Sequence, residues 1–238
     1  GTERRQCLPG YAWHFADRGM AVLVFDYRQV GEANTRPKQQ LNPRRHLEDY
    51  AAALAFAQTH PDLDGERVAL WGINLSGGHA LVTAARYPEA VRAVVAQSPH
   101  IDGGFRADTY PSRLSHGAFW HPTLDLVGSA LIQPAIGIPV PARRGPRPRN
   151  ADARAGADWD HSIPARIHVR VSCYRPIVEL AAIRCPTLVI TLPGADAMPE
   201  SALCRPLAAL LGGQLKPLAA VPRPAGGSSI ETSAPFTL

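Results

Sequence analysis

Apolar residues along the chain fall into short unbroken runs and longer stripes, and the two kinds alternate. Ala21-Val22-Leu23-Val24-Phe25, Val68-Ala69-Leu70-Trp71, Val91 to Ala96 and Cys185 to Thr191 are runs of strand length, with the composition of strands buried on both faces. The stripes have helical spacing. Pro9 to Arg18 places Tyr11 and Phe15 on one side before a stop at Gly19. Asn42 and Pro43 then open a helix with Leu47, Ala51 and Leu54 facing inward, which ends at His60-Pro61-Asp62. Ser76-Gly77-Gly78 opens a third, with Ala80, Leu81, Ala84 and Ala85 on its inner stripe. Strand, helix, strand, helix, strand with short joints predicts an α/β fold, a mostly parallel, doubly wound sheet with right-handed crossovers.

From Phe105 to about Arg166 the pattern breaks. Prolines, glycines and aromatics mix without a period, between Trp120 and Trp159 near the two ends. Such a stretch inside an α/β domain predicts an inserted cap or lid, about 105–166, over the site. Glu200 to Leu211 reads as a short helix interrupted by Pro206, and Gln214 to Val221 as one last strand. Residues 222–238, small, polar and proline-rich, read as a disordered tail, leaving one domain over 1–221.

Composition narrows the class. The chain has 238 residues, 45% of them hydrophobic, enough for one sizeable core. No run approaches the roughly 18 uncharged apolar residues of a membrane span, and no basic-then-apolar start suggests a signal peptide. Cys7, Cys173, Cys185 and Cys204 are scattered, without a C-x-x-C pair or a histidine at a zinc interval. They predict reduced core thiols of a cytoplasmic protein, and no metal. The formal charge of +5 invites a nucleic-acid reading. However, the basic residues are spread along the chain, and the densest cluster, Arg143, Arg144, Arg147 and Arg149, has no interleaved aromatics on which bases could stack. An arginine-rich, proline-broken surface loop is expected there, with neither nucleic acid nor membrane as partner.

The candidate chemistry lies in Glu66 to Arg86. A strand that turns sharply into a helix through small residues lifts one side chain above the sheet, and the helix N-terminus below it can stabilise a developing oxyanion. The lifted position, two residues after Gly72, is Asn74.

The stretches AVLVFDYR, LNPRRHLEDYAAALAFAQ, RVALWGINLSGGH, VAQSPHIDGG, WDHSIPAR, YRP and IRCPTLVI, in that order, resemble a bacterial α/β-hydrolase of the serine-esterase and acyl-peptidase-like group. The resemblance runs from residue 1 to about 220. It implies the α/β-hydrolase fold and hydrolysis of carboxylic ester or acyl substrates through a Ser-His-Asp triad, with no cofactor. Members usually read G-T-S-[FYL]-S-G-G-H at the elbow, whereas here the residues are Gly72-Ile73-Asn74-Leu75-Ser76-Gly77-Gly78-His79.

The chain departs from that pattern in three places. Asn74 stands where the nucleophile belongs, and an amide nitrogen conjugated with its carbonyl has no proton that a histidine can usefully remove. Ser76 is the alternative nucleophile; its competing reading is a small residue that lets helix and strand approach, or a helix cap. The resemblance places the triad acid at Asp196, in Gly194-Ala195-Asp196-Ala197-Met198-Pro199, with Asp102 as second choice. No histidine follows it, the last being His168. His79 reads as a packing residue, and His100, His116, His121 and His161 are candidates for recruitment. Gly1-Thr2 resembles the tail of the family's oxyanion loop, so the first strands and one oxyanion donor are expected to be missing, while the backbone N–H of Leu75 remains as the other donor. Two readings follow: a serine hydrolase taking a small-molecule ester or acyl substrate, or a non-catalytic remnant that binds a small molecule or a protein.

Overall fold

The computed structural model describes residues 8–28, 41–103, 137–139, 162–164 and 166–190. Helices α1 (Leu8–Ala16) and α2 (Pro43–Thr59) precede strand β1 (Val68–Ile73); α3 (Leu75–Arg86) then leads to β2 (Val91–Gln97). Two short strands, β3 (Gly137–Pro139) and β4 (Ser162–Pro164), come before α4 (Arg166–Ser172), and β5 (Thr187–Ile190) closes the order. Gly19, at φ 78, closes the turn that ends α1. Pro43 starts α2, and the carbonyl of Asn42 takes the His46 N–H while its side chain makes no cap bond.

β1, β2 and β5 form a parallel sheet with β2 in the centre. Ile73 pairs with Gln97, and Gln97 with Ile190, so the three strands end level at one carboxyl edge. In open α/β sheets that edge is where ligands bind. α3 lies against β1 and β2, and α2 packs on α3. The core between them is Leu54, Ala80, Leu81, Ala84, Val91, Val94, Ala96 and Ile101, with Leu180 and Val189 from the end of the described chain. Val68 and Leu70 pack against this core, so alternation along the strand turns Trp71 to the opposite face. There the rings of Tyr11 and Phe15 on α1 lie 4.6 and 6.1 Å from it. Helices on both faces make the sheet doubly wound.

Three expectations need correction. The apolar run Ala21–Phe25 joins no sheet among the described residues, and Val22, Leu23 and Val24 are 39–44% exposed. An apolar run specifies burial only when something covers it; only Phe25 and Tyr27 reach the core cluster. β1 is likewise not buried on both faces, since Ala69 is exposed and its neighbours half-buried. It borders the described sheet and has one ladder partner there. Within the expected cap or lid, about 105–166, β3 and β4 pair antiparallel as a sheet separate from the core one, and the rest of that stretch up to Arg166 lies outside the described residues. Cys185 is buried as expected, but Cys173 is exposed. Cys7, Cys204, the helix over 200–211, the strand over 214–221 and the tail lie outside the described residues.

Leu81 is completely buried and Val178 is 70% exposed. Leu81→Ala is therefore expected to lower unfolding stability by about 2–5 kcal/mol, and Val178→Ala by less than about 0.5 kcal/mol, read from urea denaturation midpoints. Equal effects would contradict this placement of the core.

Candidate active site

At the carboxyl edge of the sheet the chain passes from β1 to α3 through one residue. Asn74 has φ 53 and ψ −119, outside the left-handed region that asparagine visits readily. The reversal is possible because residue 72 is glycine: a Cβ there would run into the backbone carbonyl of Ser76. Three backbone hydrogen bonds hold the strained residue. The Asn74 N–H donates to the Gln97 carbonyl at 3.0 Å, and the Asn74 carbonyl accepts from the N–H groups of His100 at 2.9 Å and Gly78 at 3.2 Å. The Asn74 residue is exposed above the edge.

Leu75 opens the helix, so its N–H has no acceptor within α3, and it sits at the positive end of the helix dipole. Beside it, the Asn74 carboxamide offers hydrogen bonds but no nucleophile. This crest can hold a carbonyl oxygen or an anion. Ser76 is placed differently. It lies in the first turn of α3, half-buried, with its Oγ 2.7 Å from the Tyr27 hydroxyl, while the Tyr50 hydroxyl donates to its carbonyl at 3.3 Å. The Tyr27 phenol is pushed up to about 12, first by burial and then, against the opposing hydrogen bonds of Ser76 and Tyr50, by the charge of Asp49.

His79 is fully buried on α3, with Nδ1 2.8 Å from the Tyr174 hydroxyl and Nε2 without a hydrogen-bond partner among the described residues. Burial holds its imidazole well below the usual histidine value, and the neighbouring His46 and His100 add to the effect. Burial likewise raises the phenols of Tyr50 and Tyr174. Asp102, in the loop after β2, receives both donors of a fork from Arg175, each at 3.0 Å. Asp196, His116, His121 and His161 lie outside the described residues. The structure thus brings Asn74, Leu75 and Ser76 to one turn, with Ser76 directed at a tyrosine. Among the described residues no group of three or more His, Cys, Asp or Glu is placed to hold a metal ion. No helix among them is long and apolar enough to cross a membrane.

The tyrosines and His46 that surround the elbow from below carry no motif in the sequence. Their signals were faint: Tyr27 directly after an apolar run, and Tyr174-Arg175-Pro176 as an isolated matching triplet.

Residues 10–117 match the family model described as the alpha/beta hydrolase fold. The quorum-quenching protein AidA of Acinetobacter baumannii is 42% identical over 103 residues, covering 43% of this chain and 34% of AidA. The thiohydrolase aneE of Aspergillus aculeatus is 29% identical over 206 residues, covering 79% of this chain and 64% of aneE. The chain thus spans about a third of the first relative's length and just under two thirds of the second's. Among solved structures, DcsB in complex with a substrate analogue superposes with a TM-score of 0.69 at 19% identity, covering 90% of this chain and 75% of that one.

Glycine adopts a positive φ without a Cβ penalty, so Asn74→Gly is expected to raise unfolding stability by about 1 kcal/mol, measured by urea denaturation. A loss of stability would contradict the strain described for the crest. The folded Tyr27 phenol lies above its unfolded value of 10.0. Its contribution to stability is therefore complete below pH 10 and is lost as pH rises towards about 12. Tyr27→Phe should flatten the fall in stability over that window, and an unchanged slope would count against the buried phenol.

Proposed function

The chain belongs to the α/β-hydrolase superfamily, and from that premise we propose that its elbow is a site for ester or acyl groups in which Asn74 has taken the nucleophile's position. The observation that carries this reading is the crest itself: an exposed non-glycine side chain on a strained, threefold-anchored turn. Such strain persists only where surrounding structure imposes it, and it clusters at functional sites. The Leu75 N–H is available to a substrate carbonyl oxygen, which the carboxamide of Asn74 can also contact. Binding is retained and the covalent step is not, because no acyl-enzyme forms on an amide nitrogen. The relative named a thiohydrolase supports acyl groups carried on sulfur as one substrate class beside carboxylic esters. The partner on this reading is a small molecule.

The alternative, a working hydrolase acting through Ser76, requires the Ser76 hydroxyl to leave Tyr27 and meet a base. The two readings separate in a 4-nitrophenyl acetate assay on the full chain at pH 8.5. The parent and Ser76→Ala are expected to match each other, with only the background of the chain's four cysteines. Asn74→Cys places a thiolate-forming group at the crest and should release a burst of about one further equivalent of nitrophenolate. Ser76→Cys, held behind Tyr27, should acylate at least about tenfold more slowly than Asn74→Cys, as an inward-facing thiol is less accessible. Turnover by the parent that disappears in Ser76→Ala would overturn the proposal in favour of the hydrolase.

A further inference from the structure

Below the crest lies a layer of rings that acyl binding does not use. Around the buried His79, the ring centroids of Tyr174, His46, Tyr27 and Tyr50 stand at 5.1, 5.5, 6.0 and 6.1 Å. Tyr27 stacks on His46 at 4.1 Å, and His100 on Tyr174 at 6.0 Å. The groups facing His79 thus come from every side: Tyr27 from the segment after α1, His46 and Tyr50 from α2, His100 from the loop after β2, and Tyr174 from the segment after α4. Among the described residues, the titratable rings facing it are all phenols or imidazoles. The nearby carboxylates are already engaged, Glu179 by both donors of Arg86, Asp102 by Arg175 and Asp49 by Arg28.

The segment from Tyr174 to Ala182 acts as a strap across this layer. Tyr174 accepts the Gly103 N–H at 2.8 Å, Ile177 donates to the Ile101 carbonyl at 2.9 Å, and Glu179 reaches Arg86 at the far end of α3. At its near end the strap meets α3 through the bond between the Tyr174 hydroxyl and His79 Nδ1. In either neutral tautomer that bond can form. A second ring proton would put a charge among imidazoles and phenols, with an Nε2–H sealed from water and without an acceptor among the described residues. Opening is the available relief.

We propose that His79 is an acid-sensitive latch between the elbow helix and the Tyr174–Ala182 strap, closed while the imidazole is neutral and parted when it takes a proton. The sign is fixed by linkage. A histidine that resists protonation when closed and regains an ordinary value of about 6.5 when open favours the open form as pH falls below that value. The device is independent of whether the crest binds acyl groups.

Amide hydrogen exchange on the full chain, corrected for intrinsic pH dependence, reads the latch directly. The opening constants of α3 and the strap are expected to be about tenfold larger at pH 5.5 than at pH 7.5, one proton being taken up from an open-state value near 6.5, with smaller changes in β2. His79→Phe, which keeps a buried ring, should abolish the increase. A parent without the increase, a His79→Phe variant as steep as the parent, or β2 amides opening in step with α3 would each overturn the proposal. Should His79→Phe fail to fold, the imidazole NMR signal of the parent decides. A His79 that stays neutral at pH 5.5 in the closed form supports the latch, and one that titrates near 6.5 while closed overturns it.

Discussion

The structure depends on a reversal made by a single residue. For β1 to feed α3 with only Asn74 between them, the first turn of the helix must press against the end of the strand. That contact is so close that residue 72 has no room for a side chain. The backbone of Asn74 then has to adopt a conformation that an L-residue resists, and hydrogen bonds from β2 and the loop after it hold it there. Lifting a side chain above the sheet, placing a helix N-terminus under it and turning Ser76 inward are consequences of one constraint. The chemistry at the crest is decided by which residue the constraint lifts, and here it lifts an amide.

Beneath the reversal, side chains tie the first turns of α3 to the segments around it. Ser76 is tied to Tyr27, Tyr50 spans to the Ser76 carbonyl, and His79 meets the strap through Tyr174. These polar groups replace what would otherwise be aliphatic packing, and a buried hydrogen bond left half-made costs more than one never built. Bidentate pairs, Arg175 with Asp102 and Arg86 with Glu179, fasten the strap at its edges, where they are partly solvated and contribute geometry more than energy. The elbow is therefore shaped from above by backbone bonds and from below by side chains that titrate.

Much of this was legible in the chain, for reasons that differ by element. Short-range chemistry wrote the elbow: Gly72, Asn74 and the two glycines after Ser76 sit at fixed offsets from an apolar run, and turn geometry needs nothing further. The runs at Val91 and Thr187 were equally plain, because each has a partner strand that buries it. Ala21–Phe25 has the same composition yet no ladder among the described residues, since burial is a property of what lies opposite and is not written in the run itself. The ring layer was hidden for a related reason. Tyr27, His46, His79 and Tyr174 come from four separate segments, and no spacing rule joins residues that meet only after folding. The bond between Ser76 and Tyr27 was hidden in the same way.

On the proposed reading Asn74, and not Ser76, stands at the crest as the residue offered to a substrate. Treating the native chain with a fluorophosphonate probe and mapping any adduct by peptide mass spectrometry tests it most directly, since such probes seal an activated serine hydroxyl. The Leu75–Arg86 region is expected to stay unmodified; a stoichiometric adduct on Ser76 would contradict the placement of Asn74 as the residue offered to a substrate.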